Sequence, residues 1–162
     1  NDSTPGSGVL PLPLTNLPGG IYNQPQSLHL YSVIPDADIR YTTDCSLPDI
    51  NSKKLSGLLA IDSTVIIRAR IMKEGHLDGP VLTLSFLMGI HATDNPVVSV
   101  VSEPQLLYGI NGLLTTNSST MEIPANFEFI KASASLINTG AGMQLHSVKS
   151  TKPDSFRMYA RS

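Results

Sequence analysis

The residues best equipped for chemistry in this 162-residue chain are few and widely separated. Asp44-Cys45-Ser46 places a thiol between a carboxylate and a hydroxyl. A nucleophilic cysteine needs a histidine partner, and no protease-like signature surrounds Cys45. The three residues read instead as a tight turn in which the Asp44 side chain bonds back to the amides that follow it. His29, His76, His91 and His146 show no i, i+4 pair that would put two imidazoles on one metal. Asp36 and Asp38 flank Ala37 and could offer oxygens to calcium, but the EF-hand loop pattern is absent and aspartates are ordinary turn-formers. No Gly-x-Ser-x-Gly elbow occurs, which removes the usual route to serine hydrolysis. Lys149 and Lys152 sit in a basic stretch that reads as a solvated turn before a strand. Tyr22, Tyr31 and Tyr41 are the aromatic platforms a sugar ring could use in a chain without tryptophan. Tyr41 shares a face with Ile39 and is expected in the core, whereas Tyr31 shares a face with His29 and is expected at the surface.

Composition narrows the partners. Charged residues are 15% of the chain, below the roughly 25% of an average soluble protein, and 19 Ser with 12 Thr fill the gap. A net charge of −2 supplies no electrostatic footprint for nucleic acid or an anionic membrane. No uncharged apolar run approaches the roughly 18 residues of a spanning helix, so no membrane span is expected. A single cysteine excludes an intrachain disulfide and a cysteine-clustered zinc site.

The elements that must position these residues are short strands. Twelve prolines and twelve glycines punctuate the chain and argue against long helices. Leu28 and Leu30 alternate with His29 and Tyr31, and Ile39 and Tyr41 with Arg40 and Thr42. Val65, Ile67, Ala69 and Ile71 form the longest period-two stripe, with Arg68 and Arg70 pointing the other way. Leu82, Leu84 and Phe86 alternate with Thr83 and Ser85. Such strands, with turn signals between them, predict a β-sandwich over residues 9–89, preceded by a turn-rich linker at 1–8. Past a break at Gly89 and the pre-proline Asn95, the run Val97–Val101 fits a strand covered on both faces. Pro104 favours one helical turn, and 115–120 reads as a polar loop. Phe127 and Phe129, Met143 and Leu145, and Phe156 and Met158 mark three further strands. The last ends two residues before the terminus, so the sequence is expected to stop inside a larger domain.

Two stretches resemble known families. Pro18-Gly19-Gly20-Ile21-Tyr22, Ile39-Arg40-Tyr41-Thr42-Thr43-Asp44, Ser46-Leu47-Pro48 and Thr64-Val65-Ile66-Ile67-Arg68-Ala69-Arg70 resemble the chitobiase/β-hexosaminidase C-terminal-like sandwich, also described as fibronectin-type-III-associated. Cys45 stands where that family usually has a turn glycine. If the position needs a positive φ, cysteine strains it by about 1 kcal/mol or more.

Pro96-Val97-Val98-Ser99-Val100-Val101, Asn111-Gly112-Leu113, Pro124-Ala125-Asn126-Phe127-Glu128-Phe129, Gly140-Ala141-Gly142-Met143-Gln144-Leu145-His146 and Ser155-Phe156-Arg157-Met158-Tyr159 resemble the opening of the CotH-like (spore coat protein H) family. Gln144, Ser147 and Asp154 depart from that family's usual Arg, Gly and Lys. This second resemblance implies that residues 90–162 are the strand-rich N-terminal portion of an atypical kinase-like domain. It makes Lys149 and Lys152 the candidate phosphate contacts.

Together the resemblances imply a mainly β chain, an immunoglobulin-like sandwich followed by a partial kinase-like segment. They imply a non-catalytic structural or spacer module of a larger secreted or surface bacterial protein, partnered by its neighbouring domains. No cofactor is expected, with ATP and magnesium entering only if the parent is an active kinase. The alternatives are a kinase fragment and a carbohydrate-binding module that grips surface polysaccharide through Tyr31.

Overall fold

Alternating apolar and polar residues between frequent turn-formers can bury one face only by pairing as strands, and strands dominate the computed structural model of this protein. The structure describes residues 8–90, 95–116, 118, 120–146 and 155–160. They fall into two units, Asn1–His91 and Ala92–Ser162.

The first unit holds β1 (Leu14–Thr15), β2 (Gly20–Tyr22), β3 (Gln26–Leu28), β4 (Leu30–Tyr31), β5 (Asp38–Thr42), β6 (Lys53–Lys54), β7 (Leu59–Ile61), β8 (Val65–Met72) and β9 (Leu82–Met88). One layer runs β2-β9-β8-β5-β6; β2 lies parallel to β9 and the other pairs are antiparallel. The facing layer is made of two antiparallel pairs, β1 with β4 and β3 with β7. Only His29 separates β3 from β4, and Asn16 spans that break. Its side-chain amide donates to the Ser27 carbonyl at 3.1 Å and its side-chain oxygen accepts from the His29 N–H at 2.7 Å.

Register builds the core. Residues directly opposite in a ladder share a face, so Ile39 beside Ile71, Tyr41 beside Ala69 and Ile67 beside Leu84 form one apolar surface. Leu28, Leu30 and Ile61 from the other layer close onto it, with Phe86 fully buried. Each fully buried Leu, Ile or Phe contributes about 1.5–3 kcal/mol. The stripes over Leu28–Tyr31 and Ile39–Thr42 therefore divide core from surface as expected, with Tyr41 packed against the core and Tyr31 outside it, and Ile67, Ala69 and Ile71 of the third stripe are buried in the same core.

The polar side of β8 and β9 is covered as well. Arg68 is only 8% exposed, and Thr83 and Ser85 are buried, so these central strands are covered on both faces. Arg68 is covered by a turn that reaches back over β8.

The second unit holds β10 (Val97–Val101), α1 (Pro104–Tyr108), α2 (Leu113–Thr116), β11 (Glu122–Lys131), β12 (Ala134–His146) and β13 (Ser155–Ala160). Its strands pair antiparallel in the order β10-β11-β12-β13. Pro104 opens α1, where its missing N–H costs no helical bond. A second short helix, α2, runs two residues, Thr115 and Thr116, into the stretch 115–120 that the sequence read as a loop. Ala132 and Ser133 join β11 to β12 with φ of 49° and 70°, a two-residue hairpin turn made without the usual glycine.

Ile123, Met143 and Leu145 pack with Leu113 of α2 and with Leu106 and Leu107 of α1. The two helices are short, and they cover only that end of the sheet face. Farther along the same face, Val98 pairs with Phe129 and Val100 with Phe127. There Val98 is 51% exposed, Val100 43% and Ile137 50%. One expectation is corrected here: Val97–Val101 is not covered on both faces. Phe127 and Phe129 lie in a strand as expected and are half-buried, while the intervening Glu128 is fully buried.

Candidate functional site

The turn after β5 is fixed from three directions. The Thr42 hydroxyl donates to the Ser46 carbonyl at 2.7 Å. Both the N–H and the hydroxyl of Ser46 donate to Asp44 Oδ1, at 3.1 and 2.6 Å. Arg68 Nη1 reaches over from β8 and donates to the Cys45 carbonyl at 2.7 Å. Cys45 itself sits at φ 66°, where a residue with a Cβ is disfavoured by about 1–2 kcal/mol. The Ser46 hydrogen bonds hold the Asp44 carboxyl below its usual range. Burial pushes the Cys45 thiol up, against the attraction of the nearby Arg68 charge. A thiol kept protonated is a poor nucleophile, so the turn reading of Asp44-Cys45-Ser46 is the one the geometry bears out.

A second loop faces this turn. Asp49 Oδ1 accepts from the Ser52 hydroxyl at 2.8 Å and the Asn51 N–H at 2.9 Å, while the Asp49 N–H donates to the Ser52 oxygen at 2.9 Å. These bonds hold the Asp49 carboxyl below the ordinary carboxylate range, Ser52 contributing most. The loop leads into β6, where Lys53 lies opposite Tyr41. Between the two loops is an open groove of about 350 Å³, lined by Tyr41, Thr43, Asp44, Asn51, Ser52 and Lys53 among others.

A larger groove of about 680 Å³ is acidic, with Asp36, Asp38, Asp49, Glu74 and Asp78 around Ile50, Met72 and Lys73. Its acidity has a structural origin. Lys54, Arg40 and Arg70 stand side by side across β6, β5 and β8. Asp38 binds Lys54 at 2.6 Å and Arg40 at 3.3 Å, and Asp78 binds Arg70 at 2.9 Å. The hydrogen bond from Lys54 is the main reason the Asp38 carboxyl lies below its usual range. The carboxylates thus neutralise a row of cations that would otherwise repel one another. Among the described residues, no three His, Cys, Asp or Glu come together in a group that could hold a metal.

Tyr31 on β4 is 42% exposed, with its ring 5.3 Å from that of His29 and tilted by 35°. Tyr22 packs near Phe86 and donates its hydroxyl to the Pro18 carbonyl. Lys149, Lys152 and His91 lie outside the described residues. His76 sits in the turn after β8, while His146 meets Arg157 across β12 and β13. In that ladder Gln144 accepts from the Tyr159 hydroxyl at 2.7 Å. Among the described residues, the side chains marked in the sequence are not brought together at one place.

Sequence reasoning passed over Arg68, Asn51 and Lys53. The signal available for the last two was the turn-former run Pro48-Asp49-Ile50-Asn51-Ser52, because loops of a sandwich cluster at its ends. Arg68 carried no such signal.

Residues 17–83 match the family model for the chitobiase/beta-hexosaminidase C-terminal domain. The match bears out the first resemblance over that part of the sandwich. No curated protein and no solved structure matches the chain.

Proposed function

We propose that this chain is a non-catalytic part of a larger secreted or surface bacterial protein, in which an immunoglobulin-like sandwich supports and spaces neighbouring domains. One observation carries the reading: the sandwich spends its reactive side chains on holding its own shape. Asp44 ties down Ser46, Asp49 ties down Ser52, and Asp38 and Asp78 neutralise Lys54, Arg40 and Arg70. The match of residues 17–83 to a domain named for carbohydrate-active enzymes supports an accessory role beside such chemistry. In this proposal the phrases quoted from residues 95–161 make the following segment the start of a CotH-like domain. Lys149 and Lys152 would contact phosphate only in a parent that binds ATP and magnesium.

The test is an assay of the full chain for hydrolysis of chromogenic N-acetylglucosaminides and for an ATP-dependent shift in melting temperature. The proposal expects neither turnover nor shift. Turnover that Asp44→Asn abolishes, or a magnesium-dependent rise in melting temperature with ATP, overturns it. A second reading, polysaccharide binding through Tyr31, is favoured by that ring's exposure beside His29.

A further inference from the structure

The groove between the 43–46 turn and the 49–52 loop has a chemistry the supporting role does not use. Its about 350 Å³ falls within the about 300–1,000 Å³ typical of small-molecule sites. Among the described residues Thr43 and Lys53 make no side-chain hydrogen bond or ion pair, Asn51 gives an amide N–H to the Asp49 carboxyl and keeps its amide oxygen, and Asp44 commits only Oδ1 to Ser46. The uncommitted groups therefore comprise a hydroxyl, an amide oxygen, an ammonium and a carboxylate oxygen, a mixture of donors and acceptors. Tyr41 adds an aromatic flank, directly opposite Lys53 in the β5–β6 ladder. One carboxylate and one ammonium cancel in charge, which disfavours both anions and cations and suits a neutral ligand.

We propose that this groove is a binding site for a neutral polyhydroxyl ligand of monosaccharide size, its hydroxyls bonded by Asp44, Asn51 and Lys53 beside the Tyr41 ring. A sugar hydroxyl both donates and accepts, so it satisfies carboxylate and ammonium together. Both walls are set before binding, by the Thr42–Ser46, Arg68–Cys45 and Asp49–Ser52 hydrogen bonds, which lowers the entropy lost on association. The strained backbone of Cys45 lies in one of those walls, and such strain clusters at ligand clamps. The site goes beyond the supporting role proposed above and does not depend on it. It is also distinct from Tyr31, which does not line this groove.

The full chain is titrated with glucose and N-acetylglucosamine, and with the charged analogues glucosamine and glucuronate, while backbone amide NMR shifts are followed. The expected result is a saturable shift with a neutral sugar at Thr43, Asp44, Asn51 and Lys53, and weaker binding of both charged analogues. Asn51→Ala combined with Lys53→Ala lowers the affinity by about tenfold or more, while core amides of β8 and β9 keep their positions. Tyr31→Ala leaves the affinity unchanged. No saturable shift with either neutral sugar, or undiminished binding in the double variant, overturns the site. Loss of binding in Tyr31→Ala alone also overturns it and leaves the Tyr31 reading standing.

Discussion

The two units use the same device, alternation along paired strands, and reach opposite outcomes on their apolar faces. In the sandwich, Leu28, Leu30, Ile61, Ile67, Ile71 and Leu84 meet across two layers and are buried. In the β10–β13 sheet, two short helices cover Ile123, Met143 and Leu145 and stop, leaving Val98, Val100 and Ile137 open. Alternation decides which residues share a face. Only a second layer long enough to span that face decides whether it is dry.

The largest effect separating the units comes from deleting one large side chain in each. Phe86→Ala removes a fully buried ring and should cost about 3–5 kcal/mol. Phe129→Ala, on the half-covered face, should cost about 1–2 kcal/mol. Chemical denaturation of both variants checks this, and equal losses would erase the contrast.

The strained turns offer a smaller effect of opposite sign. Cys45→Gly and Ser133→Gly each relieve a positive φ and should stabilise by about 1 kcal/mol. The first should raise the unfolding midpoint of the sandwich, the second that of the hairpin unit, as read by residue-resolved thermal melts. A gain confined to the other unit would contradict the placement of the strain.

Replacing Val98 and Val100 together by Thr should change stability by no more than about 0.5 kcal/mol. The same change should lower the binding of an apolar fluorescent dye. A large loss of stability would mean the face is covered after all.

The smallest effect is pH-dependent and belongs to the sandwich. Asp38, Asp44 and Asp49 have native carboxyls below the ordinary value of 3.8. Their contribution is complete above the unfolded value and is lost as pH falls through the lowered native one. The melting temperature should therefore drop on acidification below that range, and less steeply in Asp44→Asn. An unchanged acid slope in that variant would remove Asp44 from the account.

Much of the fold was legible in the sequence, and the reason is local. Leu28 and Leu30 against His29 and Tyr31, or Ile67 and Ala69 in their stripe, are sorted by the two-residue period alone. The turn at Asp44-Cys45-Ser46 was equally legible, because a short acid and a hydroxyl make their bonds within three residues. What the sequence did not reveal depends on distant chain. Arg68 is buried because a turn 23 residues earlier closes over it. Thr83 and Ser85 are buried although they look like a wetted face. Phe127 and Phe129 look like core, yet α1 and α2 are too short to reach them. The groove beside Tyr41 was illegible for the same reason, since Asp44 and Lys53 come to line one groove only because the β5–β6 ladder sets Lys53 opposite Tyr41.

The contrast between a closed and an open apolar face is tested most directly by methyl NMR with a soluble paramagnetic agent added to the full chain. Strong relaxation at Val98, Val100 and Ile137, with Ile67, Ile71 and Leu84 untouched, is the outcome predicted. Protection of Val98 and Val100 equal to that of Ile71 would contradict it.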